Sequence, residues 1–184
     1  FQFSSGLNVF NIVYESSIRN RIIANSENID ATIVINVLRE LAFYMHFGKK
    51  SYVGIDEISN VIETYKKDYR QKVNIRSFID ATIKAKILVD VDNEIRFKDH
   101  TLVAYFVAQA LNQKYHQDED INDYLDYLLK NLCFSINSDI VLFLALITNN
   151  PKFVNVIIDG AIKHFEQKEE LSFDKENVKF LLDT

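Results

Sequence analysis

Residues 87–111, ILVDVDNEIRFKDHTLVAYFVAQAL, change their hydrophobic period partway along, and that change constrains the fold more than any other feature of the chain. Ile87, Val89 and Val91 alternate with Leu88 and Asp90, and after Asp92-Asn93 the residues Ile95 and Phe97 resume a period of two. Asn tolerates positive φ, so Asp92-Asn93 predicts a two-residue hairpin turn. Beyond Lys98-Asp99-His100 the spacing becomes helical. Leu102, Tyr105, Phe106 and Leu111 share a face, and Ala104, Ala108 and Ala110 leave room for a close neighbour. The stretch reads as a β-wing running into a core helix.

Four Gly and one Pro in 184 residues argue for long helices with short connections, since a sandwich or barrel needs many turns. The first helix is predicted over 6–25, with Leu7, Phe10, Val13, Tyr14, Ile18 and Ile22 on its apolar face. Arg19 and Arg21 lie towards its C-terminus, where cations suit the helix dipole. Asp30 caps a second helix that ends near Gly48-Lys49-Lys50. Residues 51–55 read as extended, and Asp56 as the cap of a third helix carrying Ile58, Val61, Ile62 and Tyr65. A fourth, over 74–86, sets Ile75, Phe78, Ile79 and Ile83 on one side. Helix, extended segment, two helices, hairpin and helix make a winged-helix order.

Residues 113–120 are polar apart from Tyr115 and form the best internal boundary. Helical patterns resume over 121–132 and 139–148; the second is apolar nearly all round and predicts a central, buried helix. Asn149-Asn150-Pro151 stops one helix and starts another, which continues through Phe153, Ile157 and Phe165. Ser172 or Asp174 caps a last segment over 175–183. The fold class is therefore mostly α: a winged-helix-like domain with a two-stranded wing, followed by an α-helical bundle or the start of a helical repeat array. No self-similarity at a fixed period supports the array.

Sites of familiar chemistry are scarce. Gly occurs only at 6, 48, 54 and 160, so neither a Walker loop nor a dinucleotide fingerprint can be written. His46, His100, His116 and His164 lie far apart and no second Cys is available, so no metal site is expected. No Ser sits in a nucleophile-elbow context, and no catalytic residue is assigned. The lone Cys133, in an apolar run, reads as a buried thiol in a reducing cytoplasm. Asp118, Glu119, Asp120, Asp123 and Asp126 lack the glycine and alternating donors of a calcium loop, and read as a charge cluster at a helix N-terminus.

Lys66, Lys67, Arg70 and Lys72 are the one candidate surface for nucleic acid. The net charge is −5, the fourth helix offers only Arg76, Lys84 and Lys86, and the wing carries Asp90, Asp92 and Glu94. Those acids would repel phosphates, so DNA is not the expected partner. The longest apolar run, 140–147, is less than half of the roughly 20 residues a membrane span needs, so no membrane is expected either. A start at Phe1 without a signal pattern reads as a piece of a longer protein.

From Phe97 through Lys98, Asp99, His100, Thr101, Leu102, Val103, Ala104, Tyr105, Phe106 and Val107 to Ala108, the chain resembles a signature of the STAND NTPases. These are NACHT/NLR-like signalling ATPases, and the signature, Phe-x-His followed by Tyr/Phe-Phe-x-Ala, closes their winged-helix domain. The resemblance extends over about 30–112, and includes the wing and the helix carrying Leu41-Ala42. It implies that residues 1–28 end a preceding helical domain, that 29–112 are the winged-helix-like domain, and that 118–184 begin a truncated helical domain. It also implies no catalysis and no cofactor in this piece, within a parent that binds ATP or ADP with magnesium. The partners implied are an upstream nucleotide-binding domain and a downstream sensor region of the same chain, with homo-oligomerisation on activation. A bacterial-type protein in antiviral defence is the biological setting that the resemblance suggests.

One position departs from the family. Its His after Phe-x touches the phosphates of bound ADP, whereas here Asp99 holds that place and His100 follows one residue late. Asp99 and His100 are the nucleotide-binding candidates, although the N-cap of its helix is the preferred reading of Asp99. Two readings from other classes stand beside this one: a winged-helix transcriptional regulator and a helical protein-interaction scaffold.

Overall fold

A computed structural model describes residues 4–26, 29–115, 121–148 and 151–166. The predicted helix over 175–183 with its cap at Ser172 or Asp174, and the residues His116, Asp118, Glu119 and Asp120, lie outside that set. Among the described residues there are eight helices and one two-stranded antiparallel sheet: α1 Ser4–Ile23, α2 Ala31–Phe47, α3 Ile55–Tyr69, α4 Ile75–Lys84, β1 Leu88–Val91, β2 Glu94–Phe97, α5 His100–Lys114, α6 Ile121–Lys130, α7 Ser135–Ile147 and α8 Pro151–Glu166. The mostly helical class with a small wing is the architecture observed.

Local chemistry explains most of the boundaries. Asp30 opens α2, its Oδ1 accepting from the N–H of Thr32 at 2.7 Å and of Ile33 at 3.3 Å. Val34, Val37, Leu38, Leu41, Ala42 and Met45 then face the core. Gly48 closes α2 where a Cβ would fall 2.6 Å from the carbonyl oxygen of Tyr44; the left-handed residue is the next one, Lys49, at φ 54°. The third helix starts earlier than its acidic residue suggested. Gly54 is its N-cap and Asp56 sits in the first turn, because Glu57 reaches back to accept from the Gly54 N–H at 3.1 Å. Asn74 caps α4 by accepting from Ser77 N–H at 3.0 Å. Arg21 of α1 closes the far end of α4, donating to the carbonyls of Ala85 and Lys86, each at 2.6 Å from Nη2.

The hairpin turn forms at the predicted residues. Asp92 and Asn93 adopt φ 57° and 66°, and Asp90 Oδ1 accepts from the Asn93 N–H at 3.0 Å. The register pairs Leu88 with Phe97 and Asp90 with Ile95. Directly paired residues share a face, so Leu88, Ile95 and Phe97 point into the core while Val91 is 47% exposed. The first strand thus has the phase opposite to the Val89-Val91 alternation read from sequence, because its register is set by Ile95 and Phe97. Val53 adds a one-residue bridge to Ile95, exchanging two backbone hydrogen bonds of 2.9 Å. The extended segment before α3 is therefore part of the wing.

The central helix is α5. It packs against α2, α7 and β2, and Leu102 and every residue from Ala104 to Leu111 are buried. Small side chains at Ala104, Ala108 and Ala110 permit neighbours on several sides. The sequence had pointed instead to 139–148 as the helix buried all round. In the structure α7 buries Ile140, Phe143 and Leu144 but leaves Leu142 58% exposed, since α5 already occupies the middle. Tyr105 joins three helices, its ring 4.8 Å from Tyr14 of α1 and 5.6 Å from Phe143 of α7. One continuous hydrophobic cluster runs from Ile18 and Ile22 of α1 to Phe153 and Ile157 of α8. Cys133 corrects another expectation: it is exposed, because it lies in the turn between α6 and α7 rather than on a packed helix face.

Candidate functional site

The junction of β2 and α5 brings Asp99 and His100 to the rim of a cleft of 620 Å³. Asp99 is the N-cap of α5, in extended backbone at φ −146°, and its Oδ1 accepts from the Leu102 N–H at 2.9 Å. This satisfies one of the N–H groups that a helix start leaves without an internal partner. His100 follows as the first helical residue, with its side chain 65% exposed and Nε2 3.6 Å from Asp139 Oδ2 of α7. The two candidates are therefore adjacent but differently employed: Asp99 is held by its cap, and His100 is free to meet solvent on one side.

The opposite wall comes from the end of α2, where Met45, His46, Lys49 and Lys50 approach the outer edge of β2. Arg96 and Lys98 complete the lining. Alternation explains their place. Ile95 and Phe97 are buried, so Arg96 and Lys98 are turned outward. Lys50 is already paired with the Glu57 carboxylate and also lies 5.1 Å from the Tyr44 ring. The Lys50 hydrogen bond, reinforced by the Gly54 N–H and the Tyr44 hydroxyl, pulls the Glu57 carboxyl down to about 2. Lys49, Arg96 and Lys98 form no ion pair among the described residues.

His46 lies behind these cations. Burial pushes its pKa below the usual histidine value, so the imidazole is neutral at pH 7. Its Nε2 is sealed from solvent and has no hydrogen-bond partner among the described residues. A buried polar atom left so costs about 1–3 kcal/mol. The arrangement is suited to holding an anion. It has no paired nucleophile and base, and no group of three or more metal-ligating side chains occurs among the described residues.

Sequence reasoning found Asp99 and His100 but gave no role to Arg96, and took Lys49 and Lys50 only as cations trailing a helix. The signal that could have joined them is the alternation on β2, which fixes the outward face, together with the Val53 bridge that brings the end of α2 beside the wing. Asp123 and Asp126 are exposed along α6, Asp126 pairing with Lys130 at 3.6 Å. Asp90, Asp92 and Glu94 are exposed at the wing tip. No described helix is long and apolar enough to cross a membrane.

Residues 51–107 match the family model described as Novel STAND NTPase 4. The match begins just before Val53, spans α3, α4 and both wing strands, and ends within α5. This part of the chain is a STAND NTPase-related region. No curated protein and no solved structure matches the chain.

Proposed function

We propose that this STAND NTPase-related chain is a non-catalytic regulatory segment of a longer signalling NTPase. In this reading residues 29–112 form a winged-helix-like relay, 1–28 end the helical domain before it, and 118–184 begin the helical domain after it. The observation that carries the proposal is the family match over 51–107, which covers the elements that build the cleft's wing wall. The start of α5 would face a nucleotide held by an upstream ATPase domain, with His100 as its nearest imidazole and Asp99 holding the helix start in place. ADP with magnesium would be the resident nucleotide of the parent, in the cytoplasm, and exchange for ATP would release the relay and permit homo-oligomerisation.

The packing of α5 supports a relay role. It is buried between α2 and α7, so a displacement at His100 is passed to both neighbours rather than absorbed by a loop. An antiviral or innate-immune task for the parent belongs to the same proposal. The test is the parent protein purified from its host and heat-denatured, with released nucleotide separated by anion-exchange chromatography. ADP in near-equimolar amount, and a Walker loop encoded upstream of Phe1, are the expected results. A parent that carries neither overturns the reading, and salt-sensitive binding of random duplex DNA by this chain would favour a transcriptional regulator instead.

A further inference from the structure

The groove between α2 and α3, on another side of α2, has aromatic walls and an unmatched carboxylate. We infer that it binds a small organic cation, an amine carried on an aromatic or aliphatic body, with Asp68 as the counter-ion. The inference rests on this groove alone and stands whether or not the parent is a nucleotide switch.

The two helices run antiparallel. Asn36 Nδ2 donates to the Tyr65 hydroxyl at 3.3 Å near one end, and the Tyr44 hydroxyl donates to Glu57 Oε1 at 3.0 Å near the other. Between them lies a concavity of 430 Å³, a size typical of small-ligand pockets. Phe43, Phe47 and Val61 are only half-buried by the core, and with Tyr44 and Tyr65 they form its walls. Those walls are fixed by their neighbours. Tyr124 of α6 packs on Phe43 at 4.8 Å and on Phe47 at 4.5 Å, and Tyr69 stacks on Tyr65 at 4.7 Å.

Two observations set the charge of the occupant. Glu40 and Asp68 line the groove against one cation, Lys114, and Glu40 already holds that lysine at 3.2 and 3.4 Å. Asp68 is exposed and forms no ion pair among the described residues, so its negative charge is unmatched. The rings also take ammonium groups already. Lys114 Nζ lies 5.0 Å from the centre of the Phe43 ring, and Lys50 Nζ lies 5.1 Å from that of Tyr44. An anion would be repelled by Asp68, and a cation without an apolar body would leave the aromatic walls in water. Asp68 lies one turn beyond Tyr65 on α3, and Phe47 one turn beyond Tyr44 on α2. The amine therefore belongs beside Asp68, and the apolar body runs along Val61 towards Phe47.

Amide NMR of the 184-residue chain, titrated with phenylpropylamine, tests the inference. Saturable shifts are expected at the groove residues of α2 and α3. Phenylpropanol, which keeps the body but not the charge, and putrescine, which keeps charge but lacks the aromatic body, should each bind more weakly; phenylpropionate should bind least. Asp68→Asn should weaken the amine about threefold, as suits an exposed ion pair, and leave the alcohol unchanged. Val61→Phe, which fills the groove, should abolish binding of both, and thermal melting checks that each variant is folded. Glu94→Gln at the wing tip should change nothing. Absence of saturable amine binding overturns the inference and leaves the relay reading untouched. Putrescine or phenylpropionate matching the amine also overturns it, since charge or ring alone would then suffice. Two further results would reassign the groove and overturn the inference. One is binding of an amphipathic lysine–leucine helical peptide there without binding of the amine, which points to a protein partner. The other is concentration-dependent shifts at the same amides without ligand, which point to a second copy of the chain.

Discussion

Asp99 Oδ1 lies 2.9 Å from the Leu102 backbone nitrogen, so the acidic residue at the start of α5 is the helix's own cap. The pairing gives the acid a structural role that needs no ligand. The carboxylate has a structural partner whether or not an anion is near, and it fixes the direction from which His100 leaves the wing. Replacing Asp99 with Ala is expected to lower the unfolding free energy by about 1 kcal/mol, whereas Asp99→Ser should retain most of the stability. Urea unfolding followed by circular dichroism measures both. An unchanged midpoint for Asp99→Ala would show that the cap contributes nothing.

Glu57 gives the cleft an acid-sensitive support. Its folded pKa of about 2 lies below the ordinary 4.5, so the stabilisation it provides is fully present above about pH 4.5 and is lost as pH falls towards 2. Wild type should therefore exceed Glu57→Gln in stability at pH 6, and the two should converge as the pH approaches 2. Added salt should narrow the gap at pH 6, since the pair with Lys50 is solvent-accessible. Chemical denaturation at several pH values and two salt concentrations checks the sign.

His46 acts at a higher pH. Burial holds its folded pKa below 6.5, so the unfolded chain takes up a proton first as the solution is acidified. The stability tied to a neutral His46 is present above about pH 6.5 and declines below it. His46→Phe removes this titration and the unpartnered Nε2, while the ring contacts with Phe47 and Tyr127 can be kept. The variant should lose less stability than wild type between pH 7.5 and pH 5, as read from melting temperatures. A larger loss in the variant would contradict the assignment.

What was legible in the sequence was what local chemistry decides. Asp30 and Asp99 cap helices because their side chains reach N–H groups two or three residues on, and Asp92-Asn93 turns because both tolerate positive φ. Features set by distant partners were not legible. Val53 joins the wing through Ile95, 42 residues later, and that pairing also fixes where the end of α2 stands. The burial of α5 in place of α7 depends on which helix three others surround, and the apolar content of 139–148 does not carry that information. Cys133 lies among apolar neighbours yet faces solvent, because a turn between helices does not keep a periodic face. The candidate site divides the same way. His100 and Asp99 could be named from a motif, but Arg96, Lys98 and Lys49 become one group only when the wing folds back beside α2.

The central claim is that the start of α5 responds to the nucleotide state of a parent NTPase. Hydrogen–deuterium exchange of the parent, saturated with ADP or with a non-hydrolysable ATP analogue, reads that response at the amides of residues 98–103. The account predicts slower exchange there with ADP than with the analogue, and loss of the difference in a His100→Ala variant. Identical exchange in the two nucleotide states, in a parent shown to bind both, would contradict it.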